Sequence, residues 1–128
     1  MSANRRRSLL GLVAAALVGV TAVHGVGWWA DLRLGPQAAA AARPGDILMI
    51  GSVTCVYCAA ARRWLVEHRV PFDECLIERD PACASAYAAL RSPGTPVLLV
   101  RDQRLLGFDP RDIARALSTG ATRSPPSS

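Results

Sequence analysis

Cys55 and Cys58 stand three residues apart, with Val56 and Tyr57 between them, in a chain of 128 residues. A short apolar run, Ile47-Leu48-Met49-Ile50, precedes them and reads as a strand. A helix candidate starts near Cys55 and runs through Ala59-Ala60-Ala61-Arg62-Arg63-Trp64-Leu65-Val66. The pair therefore falls where a strand gives way to a helix. A helix start carries unpaired N–H groups and partial positive charge, which favour an anion. A cysteine there loses its proton more readily, and the thiolate is the reactive form. The second cysteine lies about one turn on, within reach of a mixed disulfide formed at the first. That is the layout of a dithiol which attacks a disulfide at one sulfur and resolves it with the other.

Two plainer readings compete. Zinc would need a second ligand pair of suitable spacing. Cys75, Cys83, His24 and His68 are the other candidates, and none is spaced like a second zinc knuckle; no metal site is expected. Two inert core cysteines are the other option, and the strand-to-helix junction favours redox chemistry.

The elements that must position the pair follow in order. Val70-Pro71-Phe72 restarts the chain after the first helix, and Phe72 to Ile77 alternates as a strand. Asp80-Pro81 forms an N-cap and first-turn proline for a helix to about Leu90. Arg91-Ser92-Pro93-Gly94 is a loop. Val97-Leu98-Leu99-Val100 is a strand, Arg101 to Arg104 a turn, and Leu105-Leu106-Gly107-Phe108 its hairpin partner. Asp109-Pro110 caps a last helix through Ile113, Ala114 and Leu117. The order strand, helix, strand, helix, strand, strand, helix implies an α/β domain: a parallel pair extended by a hairpin, with helices on both faces.

Charge excludes one class of partner. Residues 46–118 hold nine arginines and nine acids, so the domain is neutral, and the net +5 comes from the flanking segments. No basic patch with interleaved aromatics is present, so no nucleic-acid partner is expected.

Arg5-Arg6-Arg7 precedes Ser8 to Ala30, a stretch without Asp, Glu, Lys or Arg. At about 1.5 Å per residue such a helix spans a bilayer core. The arginines place the N-terminus inside, and Trp28-Trp29 fits the far interface. The expected division is a basic segment 1–7, a transmembrane signal anchor 8–30, a linker 31–45, a domain 46–118 and a disordered tail 119–128. A cleaved signal peptide is the alternative, with Ala38 to Ala42 offering the cleavage site. Either way the domain is expected on the extracytoplasmic, periplasmic side.

Residues 46–118 resemble a glutaredoxin, one of the thioredoxin-fold families. Cys55-Val56-Tyr57-Cys58 is similar to the family's Cys-Pro-Tyr-Cys. Val70-Pro71-Phe72 resembles the opening of its second strand, Thr95-Pro96 its cis-proline loop, and Leu106-Gly107-Phe108-Asp109 its Gly-Gly-Phe/Tyr-Asp turn. The resemblance implies a four-stranded mixed sheet. It implies Cys55 as nucleophile and Cys58 as resolving thiol, in exchange with protein disulfides or glutathione mixed disulfides. Tyr57 would line the groove, Thr95 would offer its backbone to an extended substrate, and Pro96 would shape that surface. Gly107, Phe108 and Asp109 would approach glutathione, with Asp109 pairing with its amine. Glutathione would be a cosubstrate; no tightly bound cofactor is implied. The family's lysine three residues before the first cysteine is Ser52 here, a departure that bears on glutathione binding more than on the dithiol. Arg62 is a candidate substitute for that charge.

Cys75 and Cys83 fall on the second strand and second helix, and the turn between them lets them meet. A structural disulfide, an electron relay to Cys55–Cys58 and unpaired thiols are the three readings. A monomer is expected. The rival class is a non-catalytic module on the same fold, holding an iron–sulfur cluster, a metal or a protein partner.

Overall fold

The computed structural model describes residues 3–119, except for the side chains of residues 3, 23–28, 30 and 31. The expected disordered tail therefore lies outside the described residues from 120 onward, as do the side chains of His24 and Trp28. The elements are α1 (Ala3–Ala41), β1 (Ile47–Gly51), α2 (Val56–Glu67), β2 (Asp73–Leu76), α3 (Pro81–Leu90), β3 (Val97–Val100), β4 (Gln103–Leu106) and α4 (Pro110–Thr119). The chain divides into two compact units, Met1–Leu32 and Arg33–Ser128.

The second unit is built on a four-stranded sheet in the order β2-β1-β3-β4. β1 runs parallel to β2 and antiparallel to β3, and β3 pairs antiparallel with β4. Apolar side chains alternate between the two faces, as the period of two requires. Ile47 and Met49 of β1 join Leu98 and Val100 of β3 on one face, beneath Ala61 and Leu65 of α2 and Ile113, Ala116 and Leu117 of α4. Ile50 and Val97 face the other way, with Cys83 of α3 and partly buried Cys75, Ile77, Tyr87 and Leu90. Asp80 caps α3, its carboxylate accepting from the N–H groups of Ala82 and Cys83, and Pro81 follows in the first turn.

Two expectations are corrected. The segment 31–45 is largely helix, not linker: α1 continues past Pro36 to Ala41, and Ala38 is fully buried in the core under α2 and α4. Alanine is small enough to let a helix backbone approach closely, so the run packs. At Gly35 a Cβ would overlap the His68 ring. The compact domain therefore begins near Arg33, and not at Asp46.

The second correction concerns the hairpin. β4 is Gln103–Leu106, two residues earlier than expected, because the turn is only Arg101-Asp102. Arg101 takes φ 55, and its guanidinium donates to the carbonyls of Leu117 (2.7 Å) and Ala41 (3.0 Å) and to Asp46 (3.0 Å). Those three bonds hold Arg101 in a left-handed conformation, so the expected turn closes after two residues instead of four.

The expected transmembrane helix over 8–30 is not shown. Among the described residues no helix is long and apolar enough to cross a membrane. The first unit is a helix whose large apolar side chains, Leu9, Leu10, Leu12, Val13, Leu17 and Val18 among them, are exposed.

Candidate active site

Cys55 is the N-cap of α2. It has extended backbone, φ −82 and ψ 110, and its sulfur accepts from the N–H of Cys58 at 3.1 Å. Capping is normally done by an oxygen that satisfies an orphan helix donor; here a sulfur takes the place. The turn before it is closed by the Cys55 N–H donating to the Ser52 carbonyl at 3.2 Å. Cys55 and Cys58 form a disulfide with Cα atoms 5.2 Å apart. Cys55 is half-buried at the surface and Cys58 is fully buried. An incoming sulfur can reach Cys55, whereas Cys58 reaches only what is already bound there.

Beside the disulfide lies a groove of about 330 Å³, lined by Tyr57, Pro93, Gly94, Thr95, Leu106, Gly107 and Phe108. Its walls come from three elements. Tyr57 belongs to the first turn of α2, residues 93–95 to the loop before β3, and residues 106–108 to the end of β4. The Thr95–Pro96 bond is cis, and Pro96 is buried beneath the groove. Gly107 has φ 81, which a side chain would disfavour, and its N–H donates to the Pro96 carbonyl at 2.8 Å. Phe108 is backed by Trp64 of α2, ring centroids 6.0 Å apart.

Tyr57, Thr95, Gly107 and Phe108 thus share one groove. Asp109 does not join them. It is exposed at the start of α4, where its carboxylate accepts from the Arg111 N–H at 2.8 Å. Arg62 is not a substitute for the missing lysine: it is paired with Glu74 of β2 through two hydrogen bonds, Nε to Oε2 at 2.8 Å. The carboxylate partner holds the Arg62 guanidinium more firmly protonated than usual. Pro93, Gly94 and Leu106 line the groove without having been singled out from sequence. Leu106 stands where the resembled Gly-Gly-Phe/Tyr-Asp turn has its first glycine, and its neighbour Gly107 is the available signal.

A further ring of apolar side chains surrounds the pair. Val56 is 74% exposed, Tyr57 66%, Leu106 58% and Val53 51%. Four exposed apolar residues around one reactive sulfur form a patch of the kind that marks a docking surface. The nearest acid on this rim is Glu78, whose carboxylate accepts from the Ser52 hydroxyl and from the Val53 N–H at 3.2 Å. The Ser52 hydroxyl, then the Val53 N–H and nearby Arg79, hold the Glu78 carboxyl below its ordinary range, so it is anionic at neutral pH.

The second cysteine pair is also bonded. Cys75 and Cys83 form a disulfide, Cα atoms 5.9 Å apart, on the sheet face opposite α2.

The glutaredoxin family model matches residues 47–105. The glutaredoxin-like protein NrdH of Lactococcus lactis subsp. lactis is 30% identical over 61 residues, covering 48% of this chain and 85% of that protein. The chain belongs to the glutaredoxin family. Among solved structures, the glutaredoxin-like NrdH-redoxin of Escherichia coli is similar over 54% of this chain and 91% of its own. It has 29% identity and a TM-score of 0.50. The glutaredoxin of Methanosarcina mazei Go1 covers 57% of this chain and 78% of its own, with 25% identity and a TM-score of 0.50. This glutaredoxin-family chain is thus NrdH-like, with the Cys55–Cys58 pair of a thiol–disulfide oxidoreductase. Its fold is thioredoxin-like, a four-stranded mixed sheet with helices on both faces.

Proposed function

We propose that the chain exchanges disulfides with protein substrates in preference to glutathione mixed disulfides. The observation that carries this reading is the surround of Cys55: a groove whose lining residues are all uncharged and mostly apolar, beside an apolar rim of Val53, Val56, Tyr57 and Leu106. Glutathione presents two carboxylates and an ammonium group. The groove walls carry no charged side chain, Arg62 is held by Glu74, and the rim acid Glu78 would repel a carboxylate. A polypeptide segment with apolar residues beside its cysteine would bury that rim instead. The Escherichia coli relative is itself a glutaredoxin-like protein with a thioredoxin-like activity profile, which supports the same direction.

The reaction begins with the reduced pair. The Cys55 thiolate attacks one sulfur of the substrate disulfide. A mixed disulfide forms, and the other substrate sulfur leaves as a thiolate and takes a proton. Cys58 then gives up its proton and attacks the Cys55 sulfur, forming the Cys55–Cys58 disulfide and releasing the second substrate thiol. Two electrons pass from the dithiol to the substrate; the reverse sequence donates a disulfide. The N–H that Cys58 aims at the Cys55 sulfur stabilises the thiolate both as attacker and as leaving group. A direct test compares kcat/KM of the reduced chain for a protein disulfide and for a glutathionylated small thiol. A ratio of about ten or more in favour of the protein supports the reading. Equal or better turnover of the glutathione mixed disulfide overturns it.

We also propose that the N-terminal unit carries the domain at a membrane, on its extracytoplasmic side. The three arginines, the uncharged stretch Ser8 to Ala30 and the exposed apolar side chains of α1 support this. A periplasm-dependent reporter fused after Ser128, with membrane fractionation, tests it. An inactive reporter, or protein found wholly in the soluble fraction, counts against it.

A further inference from the structure

The disulfide Cys75–Cys83 closes a loop of sequence separation eight. That loop does not hang free. At its start the Ile77 N–H donates to the Gly51 carbonyl at 3.0 Å, at the end of β1. It then turns tightly, the Arg79 and Asp80 N–H groups both donating to the Leu76 carbonyl at 3.0 Å. The turn delivers Glu78 to Ser52 and Val53, the two residues that begin the chain's approach to Cys55. Ser52 is bonded at both ends: its hydroxyl donates to Glu78, and its carbonyl accepts from the Cys55 N–H. A continuous set of bonds therefore runs from the second disulfide, through Glu78 and Ser52, to the backbone of the reactive cysteine.

The disulfide ties the far end of the loop. α3 is alanine-rich, and Cys83 is its one buried residue. Its remaining hold on the sheet lies toward its C-terminal end: partly buried Tyr87 and Leu90, and Arg104 of β4, whose guanidinium donates to the Leu90 carbonyl at 2.8 Å. The bond to Cys75 adds a covalent tie between β2 and the start of α3 to the hydrogen bonds that order the turn.

We infer that Glu78 is a positioning residue for Cys55, and that the Cys75–Cys83 disulfide holds the loop that carries it. The inference rests on Cys55 being the attacking thiol. Glu78 pins Ser52 and Val53, and the turn they begin sets Cys55 in the capping conformation that receives the Cys58 N–H. With the pin removed, the turn frays and the thiolate loses part of its donor. Nothing in this arrangement requires the charge of Glu78. A glutamine supplies an acceptor for the Val53 N–H and a donor for the Ser52 oxygen, so it keeps both links.

The experiment uses the full chain, opened with one equivalent of a water-soluble phosphine so that Cys55–Cys58 is reduced and Cys75–Cys83, checked by mass, stays closed. Alkylation of Cys55 by iodoacetamide is followed at about pH 7, where thiolate fraction limits the rate, and at about pH 9.5, where it no longer does. Glu78→Ala slows the reaction about threefold to fivefold at the lower pH, and the difference closes at the higher. Glu78→Gln restores the wild-type rate to within about twofold. The double variant Cys75→Ser/Cys83→Ser slows it in the same direction as Glu78→Ala. Wild-type rates in Glu78→Ala, or a Glu78→Gln rate as low as that of Glu78→Ala, overturn the role of Glu78. A wild-type rate in the double serine variant overturns the role of the second disulfide. A wild-type Cys55 no faster than a free cysteine overturns instead the reading of Cys55 as the attacking thiol.

Discussion

The N–H of Cys58 meets the sulfur of Cys55 at 3.1 Å, and the two residues divide the work through that contact. Cys55 sits at the surface as the cap of α2, while Cys58 is buried one turn below it. The buried partner therefore contributes twice, by its backbone donor to the outer sulfur and by its own sulfur to the second step.

Replacing Cys55 with Ser removes the only cysteine sulfur of the pair that a substrate can reach. Exchange should fall by about a thousandfold or more. Replacing Cys58 with Ser leaves the first attack intact and removes the resolving thiol. The mixed disulfide should then accumulate, visible as a mass increase that dithiothreitol reverses. Retained turnover in Cys55→Ser would refute the assignment.

Leu106 tests the groove. Its side chain is exposed on β4, the edge strand of the sheet, so a charge there costs little stability. Leu106→Glu should raise KM for a protein disulfide about tenfold, with kcat and the melting temperature nearly unchanged. Reaction with a small aromatic disulfide, which needs no groove, should keep its wild-type rate. A loss of equal size for both substrates would place Leu106 outside substrate binding.

The strand and helix order was legible because each element follows a local rule. Asp80-Pro81 announces α3 by its cap and proline, and the Phe72/Cys75 alternation places those two side chains on opposite faces, as the structure has them. What escaped was non-local. The turn at Arg101 was expected but not its tightness: Arg101 is left-handed because Ala41, Asp46 and Leu117 gather around its guanidinium, and those partners come from three separate segments. The alanines after Pro36 read as linker because alanine carries little hydrophobic signal, although its small size is what suits close packing. In the site, Cys55 and Cys58 could be read from a single pentapeptide. Leu106 beside Tyr57, and Glu78 beside Ser52, are meetings of distant segments that no spacing announces.

The Arg101–Asp46 pair should make stability depend on acid. Asp46 is half-buried, and its carboxyl is held below the ordinary 3.8 by its bond to Arg101, then by the Arg43 N–H. The native state binds its proton less tightly than the unfolded chain does. The contribution is therefore fully present above about pH 4 and is lost as pH falls through the depressed native value. Asp46→Asn should cost about 1 kcal/mol at neutral pH. That gap to wild type should narrow as pH falls below about 4, as measured by urea unfolding. A gap that persists in acid would show that packing, not charge, sets the cost.

Opening the second disulfide should be felt in stability as well as at Cys55. Closing a loop of this size removes about 2.5 kcal/mol of unfolded-state entropy. The Cys75→Ser/Cys83→Ser protein should melt about 10–20 °C lower. Calorimetry on the two proteins decides it, and an unchanged melting point would mean that the other contacts of α3 hold it without the disulfide.

The last prediction concerns where the folded domain starts. A chain begun at Asp46 keeps every strand and both active-site cysteines. It lacks Ala38, which is fully buried among α2 and α4 residues, and the Ala41 carbonyl that accepts from Arg101. It also uncovers His68, which stacks on Trp64 at 4.7 Å; the His68 Nδ1 donates to the Trp64 carbonyl at 2.9 Å. A chain begun at Arg33 retains all of these contacts. The longer piece should be the more stable by about 2 kcal/mol or more, from the apolar area and hydrogen bond it keeps. Because Trp64 backs Phe108, the shorter piece should also bind a protein disulfide less well. Urea midpoints for the two pieces give the first answer, and equal midpoints would return residues 33–45 to the status of a linker.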